Sequence, residues 1–337
     1  MLRACGCYLL LAAIMAVAVS AGDAKPAKGA PATPADPPAP REFARADALI
    51  GTAALLKEIE KGGVILVDAR RRREFEAGHL PGAFNIESDA FQDPERLPYY
   101  MPAPDVVKKA CADAQIRAAS RVVIYDEDDG RLAARVWFTL HAYGHERVAI
   151  LDGGVGKWRA EGRPLAGGAA LEVPATGRET FEPLPLPRNV CAFAELPQFR
   201  TRVHTLGKLP PTTLLDGRTL QEYMGEEVRG KAGGHIPGAA NIEWSAMLVP
   251  LALPAPARGE GEQRPGGARV WRSPPEIHAI LRMAGAEREQ RICVYDQAGG
   301  RSSHLYFTLW LMGFDRICNY VAGWREYGNR DDVEIEK

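Results

Sequence analysis

The sequence predicts two tandem α/β domains, each a mainly parallel sheet flanked by helices. Four sequence blocks recur in the same order in the two halves. Within each half, short apolar strands alternate with helical stretches such as 53–60 and 136–143, and a Pro- and Gly-rich stretch separates the halves. The chain has 337 residues, 46% of them apolar, which suffices for two packed cores. Its formal net charge of −1, with no like-charge run longer than Arg70-Arg-Arg-Arg73, argues against nucleic acid or an anionic membrane as the main partner.

The N-terminus reads as a secretory signal over residues 1–21. Met1-Leu-Arg3 supplies a positive start, Tyr8 to Val19 an apolar stretch, and Ser20-Ala21 a small-residue cleavage region. The apolar stretch is too short to favour a membrane span, so no membrane role is expected beyond export. Export implies the periplasm if the source is a Gram-negative bacterium. Residues 22–45, rich in Ala and Pro, lack the apolar content to pack and read as an extended linker.

Of the six cysteines, Cys5 and Cys7 fall within the signal. Cys111, Cys191, Cys293 and Cys318 remain, and four cysteines allow three disulfide connectivities among which the sequence cannot choose. Cys293, inside an apolar strand, reads as a small buried residue. Nothing shows the Cys/His spacing of a zinc site, and neither a metal nor a cofactor is expected.

The N-terminal domain is expected over 46–165, a connector over 166–190 and the C-terminal domain over 191–330. Val64-Ile-Leu-Val-Asp68-Ala-Arg70 is matched by Thr213-Leu-Leu-Asp216-Gly-Arg218, each an apolar strand ending in Asp-x-Arg. Glu74-Phe75 and Glu222-Tyr223 follow at equal distances. Gly78-His-Leu-Pro-Gly-Ala-Phe-Asn-Ile-Glu87 is then matched by Gly234-His-Ile-Pro-Gly-Ala-Ala-Asn-Ile-Glu243. Val122-Val-Ile-Tyr-Asp126 pairs with Ile292-Cys-Val-Tyr-Asp296, and Phe138-Thr-Leu140 with Phe307-Thr-Leu309. His79 and His235 are expected to hydrogen-bond their turns, Asp68 and Asp216 to brace neighbouring loops, and Trp137-Phe138 and Tyr306-Phe307 to be core.

The segment from Arg291 to His304 reads as a strand, a glycine-bearing loop and a helix. This layout gathers backbone N–H groups and a helix N-terminus around one point, a cradle for an anion. Its loop is Asp296-Gln297-Ala298-Gly299-Gly300-Arg301, and an acid leads it.

These blocks resemble the rhodanese family of sulfurtransferases, specifically the two-domain thiosulfate and mercaptopyruvate type, over nearly all of 46–330. Gly323-Trp-Arg-Glu-Tyr327 with Asn329-Arg330 resembles the family's C-terminal ending. The resemblance implies a cysteine at the head of the second loop, carrying the transferred sulfur as a persulfide. It also implies that Arg301 and Arg218 face an anionic donor. The loop resembles the family's Cys-x-x-Gly-x-Arg-Ser-Ser-His form at every fixed position except the first, where Asp296 stands.

Asp cannot form a persulfide, and its carboxylate in the cradle would repel an anionic donor. The expected function is that of an exported rhodanese-like protein without persulfide catalysis, binding a small molecule or a protein. One alternative is sulfur transfer through Cys293 or Cys318. Others are hydrolysis with Asp296 as nucleophile, which lacks a metal site, and a structural scaffold in the envelope with Asp296 paired to Arg301 or Arg218.

Overall fold

The computed structural model describes residues 39–91, 93, 100–169, 180–199, 212–251 and 267–337. The expected signal over 1–21, with Cys5 and Cys7, lies outside them, as do most of the expected linker and the middle of the expected connector.

In the first half, β1 (Leu49–Ile50) leads into α1 (Thr52–Lys61), β2 (Val64–Asp68), α2 (Arg72–Ala77) and β3 (Phe84–Asn85). Then come α3 (Pro104–Asp113), β4 (Arg121–Tyr125), α4 (Arg131–Ala142), β5 (Val148–Leu151) and α5 (Gly154–Ala160). The strands form one sheet in the order β1-β5-β4-β2-β3, parallel throughout. Parallel neighbours cannot be joined by a hairpin, so helices carry the crossovers and cover the sheet.

The second half repeats the plan with β6 (Thr212–Asp216), α6 (Leu220–Tyr223) and β7 (Ala240–Asn241). An antiparallel pair, β8 (Leu248–Pro250) and β9 (Arg269–Trp271), precedes α7 (Pro274–Met283). The half ends with β10 (Arg291–Tyr295), α8 (Gly300–Leu311), β11 (Ile317–Tyr320) and α9 (Gly323–Tyr327). Its parallel sheet has the order β11-β10-β6-β7.

Helix α4 begins five residues before the stretch expected from the sequence. Gly130, at φ +73°, caps it, and a side chain there would overlap the Trp271 ring. The β8–β9 ribbon was not expected. It ties the halves together, with Arg269 N–H donating to the Asp128 carbonyl (2.9 Å) and Trp271 N–H to Asp152 (3.0 Å).

Both sheets belong to one compact unit, Ala39–Lys337. Helices α4 and α8 pack against each other and, besides a further cluster in each half, one apolar cluster runs through both halves. The expected aromatic groups form its centre: the Trp137 ring lies 4.8 Å from Phe307 and 4.9 Å from Trp310, centroid to centroid. Beyond the expected end at 330, the chain returns to bridge Glu336 with His235, as Ala166 bridges with His79 in the first half.

Trp137 is buried between α4 and α8, so truncating it opens a large cavity in the shared core. Trp137→Ala is expected to lower the unfolding free energy by about 3–5 kcal/mol, read from urea unfolding curves.

Candidate functional site

Strand β10 delivers Asp296 to the mouth of the loop, and α8 starts four residues later. Gly299 caps α8 at φ +88°, where a Cβ would press on Val321 and on the Arg135 guanidinium. The loop is held from outside as well. Trp324 N–H donates to the Asp296 carbonyl (2.7 Å) and Arg325 N–H to that of Gln297 (2.9 Å).

The Asp296 carboxylate turns inward and is 3% exposed. Its Oδ1 accepts from the N–H groups of Ala298 (3.2 Å) and Gly299 (2.5 Å) and from the Ser302 hydroxyl (3.1 Å). Its Oδ2 accepts from the Arg301 N–H (2.9 Å). The donors expected to cradle an external anion are therefore satisfied by the chain's own carboxylate.

Arg301 lies 3.5 Å from Asp296 Oδ2 through Nε, and its two terminal nitrogens grip Glu222 at 2.5 and 2.9 Å. Burial alone would raise the Glu222 carboxyl. The hydrogen bonds and charge of Arg301, helped by the Thr219 N–H and Arg229, instead bring it down to about 2. The Arg301 guanidinium is held charged by the same pair, despite burial that opposes it. Glu222 was not among the expected site residues, yet Thr219-Leu-Gln-Glu222 carries the capping-box pattern and forms one at the start of α6.

Arg218, which the resemblance sets facing a donor, is held by neighbours of its own. Its Nε and Nη2 are committed to Asp216 (3.0 and 2.6 Å) and to the Gly234 carbonyl (2.7 Å). Its guanidinium carbon sits 4.4 Å from the Trp324 ring centre, and the residue is buried. An Asp two residues before the Arg forms this closed pair, as Asp68 does with Arg70. Asp296 pairs with Arg301, not with Arg218.

The Gln297 side chain donates outward to the Arg229 carbonyl (2.9 Å), and Gly300 opens α8. His79 and His235 stack on Phe75 and Tyr223 and hydrogen-bond their carbonyls, as expected. His304, stacked on Trp271, is fully buried, and burial pushes its imidazole down to about 3, so it stays neutral.

Arg135 of the first half reaches the back of this loop. It is fully buried and donates to the Phe91 carbonyl (2.7 Å), while its Nε has no partner. Burial pulls it down to about 10, opposed by the charge of Asp296. No sequence block marks Arg135, because its role depends on α4 meeting α8.

The corresponding loop of the first half has Asp126, which accepts from the N–H groups of Gly130, Leu132 and Ala133. Burial and the neighbouring Asp129 push its carboxyl up to about 7. Beside it lies a cavity of about 340 Å³ lined by Arg70, Asp126, Glu127, Asp128 and Asp129. Its mainly acidic lining disfavours anions.

Cys293 and Cys318 lie in register on neighbouring strands, and Cys191 joins them. All three are buried free thiols. Burial pushes Cys293 up, whereas the neighbouring thiols of Cys191 and Cys293 pull Cys318 down.

The model of the rhodanese-like domain matches residues 52–161 and 200–330. The chain belongs to the rhodanese-like family. A thiosulfate sulfurtransferase of Azotobacter vinelandii is 30% identical over 88% of this chain and 99% of its own length. One from Pseudomonas aeruginosa is 29% identical over 81% of this chain and 91% of its own. Among solved structures, SseA of Escherichia coli, described as showing the fold and mechanism of 3-mercaptopyruvate sulfotransferases, superposes with a TM-score of 0.62. It is 22% identical over 82% of this chain and 98% of its own, a likeness of fold. Two tandem rhodanese-like domains of the sulfurtransferase superfamily are thus established.

Two outcomes follow from the loop's geometry. Asp296→Ala leaves buried loop N–H groups without their acceptor and is expected to cost about 1–3 kcal/mol in urea unfolding at pH 7. The lowered Glu222 pKa contributes stability that is complete above its ordinary 4.5 and is lost as pH falls toward about 2. The stability difference between the parent protein and Glu222→Gln should shrink across that window and stay constant above it, as measured by urea unfolding at each pH.

Proposed function

We propose that this is an exported rhodanese-like protein that carries no persulfide and acts by binding a small molecule or a protein partner. One observation carries the reading: the Asp296 carboxylate occupies the donors that would otherwise receive an anion. A carboxylate has no sulfur with which to accept the sulfane atom. Its fixed negative charge also opposes entry of thiosulfate or mercaptopyruvate. Arg301, the loop's cation, is already neutralised by Glu222.

A second reading, sulfur transfer through Cys318, draws on the neighbouring thiols that favour its thiolate. Against it stands burial: Cys318 is 8% exposed and Cys293 fully buried, and both lie within strands and away from any helix N-terminus. The scaffold reading shares the inactive loop and differs in lacking a ligand.

A thiosulfate:cyanide sulfurtransferase assay separates these. The parent protein is expected to be inactive and Asp296→Cys to gain measurable turnover. Activity in the parent that disappears in Cys318→Ser would overturn the proposal. For export, the protein recovered from the cell envelope is expected to begin after Ala21, as N-terminal sequencing would read.

A further inference from the structure

Three cysteines far apart in the chain meet at one point in the second half. Cys293 lies on β10, Cys318 directly opposite it on β11, and Cys191 is fastened by its N–H to the Asn319 carbonyl at 2.9 Å. Their Sγ atoms all lie within 4.8 Å of one another. Sulfurs bound at about 2.3 Å around one shared ion lie about 4 Å apart, so small rotations of the thiols suffice to close a site.

The ordinary explanation of buried cysteines is that each fills space as a small apolar residue. The internal duplication tests it. Aligning β4 with β10 and β5 with β11 sets Val123 at the place of Cys293 and Ala149 at that of Cys318. The parallel pairing of Leu49 with Ile150 and of Val190 with Asn319 sets Ile50 at the place of Cys191. Ile50, Val123 and Ala149 belong to one apolar cluster of the first half, as the three cysteines belong to one cluster of the second. The same fold thus fills these three positions with hydrocarbon in one copy and with sulfur in all three places of the other. Packing alone does not require thiols there.

We propose that Cys191, Cys293 and Cys318 form a three-sulfur binding site for a soft metal ion, copper(I). Thiolates select soft ions, and structural zinc is nearly always four-coordinate. Among the described residues the group has three sulfur ligands and no fourth His, Cys, Asp or Glu, which favours trigonal copper(I) over zinc. Uptake of the ion releases thiol protons and transfers no electron. The site is separate from the Asp296 loop and does not depend on what that loop binds.

The test is anaerobic titration of the reduced full chain with copper(I) against a competing copper(I) chelator. One ion per chain should be retained, with X-ray absorption of the loaded parent protein showing three sulfur neighbours. Cys293→Val and Cys318→Ala carry the residues of the first half and so preserve packing. Each is expected to weaken retention on the order of 100-fold or more with an unchanged circular dichroism spectrum, while Cys111→Ser binds as the parent does. Failure of the parent to retain copper(I), nitrogen or oxygen neighbours in place of three sulfurs, or tighter retention of zinc(II) would overturn the proposal.

Discussion

The packing of α4 on α8 is the constraint on which the remainder of the molecule rests. Each helix is the crossover that follows the central strand of its own sheet, and each buries one face on that sheet. Their other faces, rich in aromatic rings, leave water largely against each other. This contact turns two repeated units into one body. It also brings the buried Arg135 behind the loop of the second half, where the charge of Asp296 favours its charged form. A carboxylate at the head of that loop thus answers two needs at once, the unpaired N–H groups of the helix start and the buried guanidinium.

The chemistry of the loop follows from that charge balance. In a loop built to receive an anion, the donors are held open until a substrate or a charged intermediate arrives. Here Asp296 fills them permanently, and Glu222 takes the adjacent arginine. The same geometry that would stabilise a thiolate stabilises a carboxylate, since backbone N–H groups respond to negative charge rather than to its bearer. The loop's form is thus kept with a carboxylate at its head.

Duplication supplies an internal comparison. The two copies agree in the Asp-x-Arg pairs, the stacked histidines and the left-handed glycines before α4 and α8. They differ where side chains have chemical freedom. The acidic cavity belongs to the first copy and the thiol cluster to the second.

The duplicated strand, loop and helix order was legible in the sequence because apolar periodicity, turn glycines and Asp-x-Arg ends are local signals. So was the acid at the head of the second loop, since a single residue in a recognisable loop needs no fold to be read. That Arg218 closes on Asp216 and on the Gly234 carbonyl was not legible, because the spacing of the two residues does not reveal it. Only the tertiary structure could bring Arg135 behind the loop, set Glu222 on Arg301 and gather Cys191, Cys293 and Cys318. Each of these depends on contacts between segments distant along the chain, which packing creates and which no local pattern encodes.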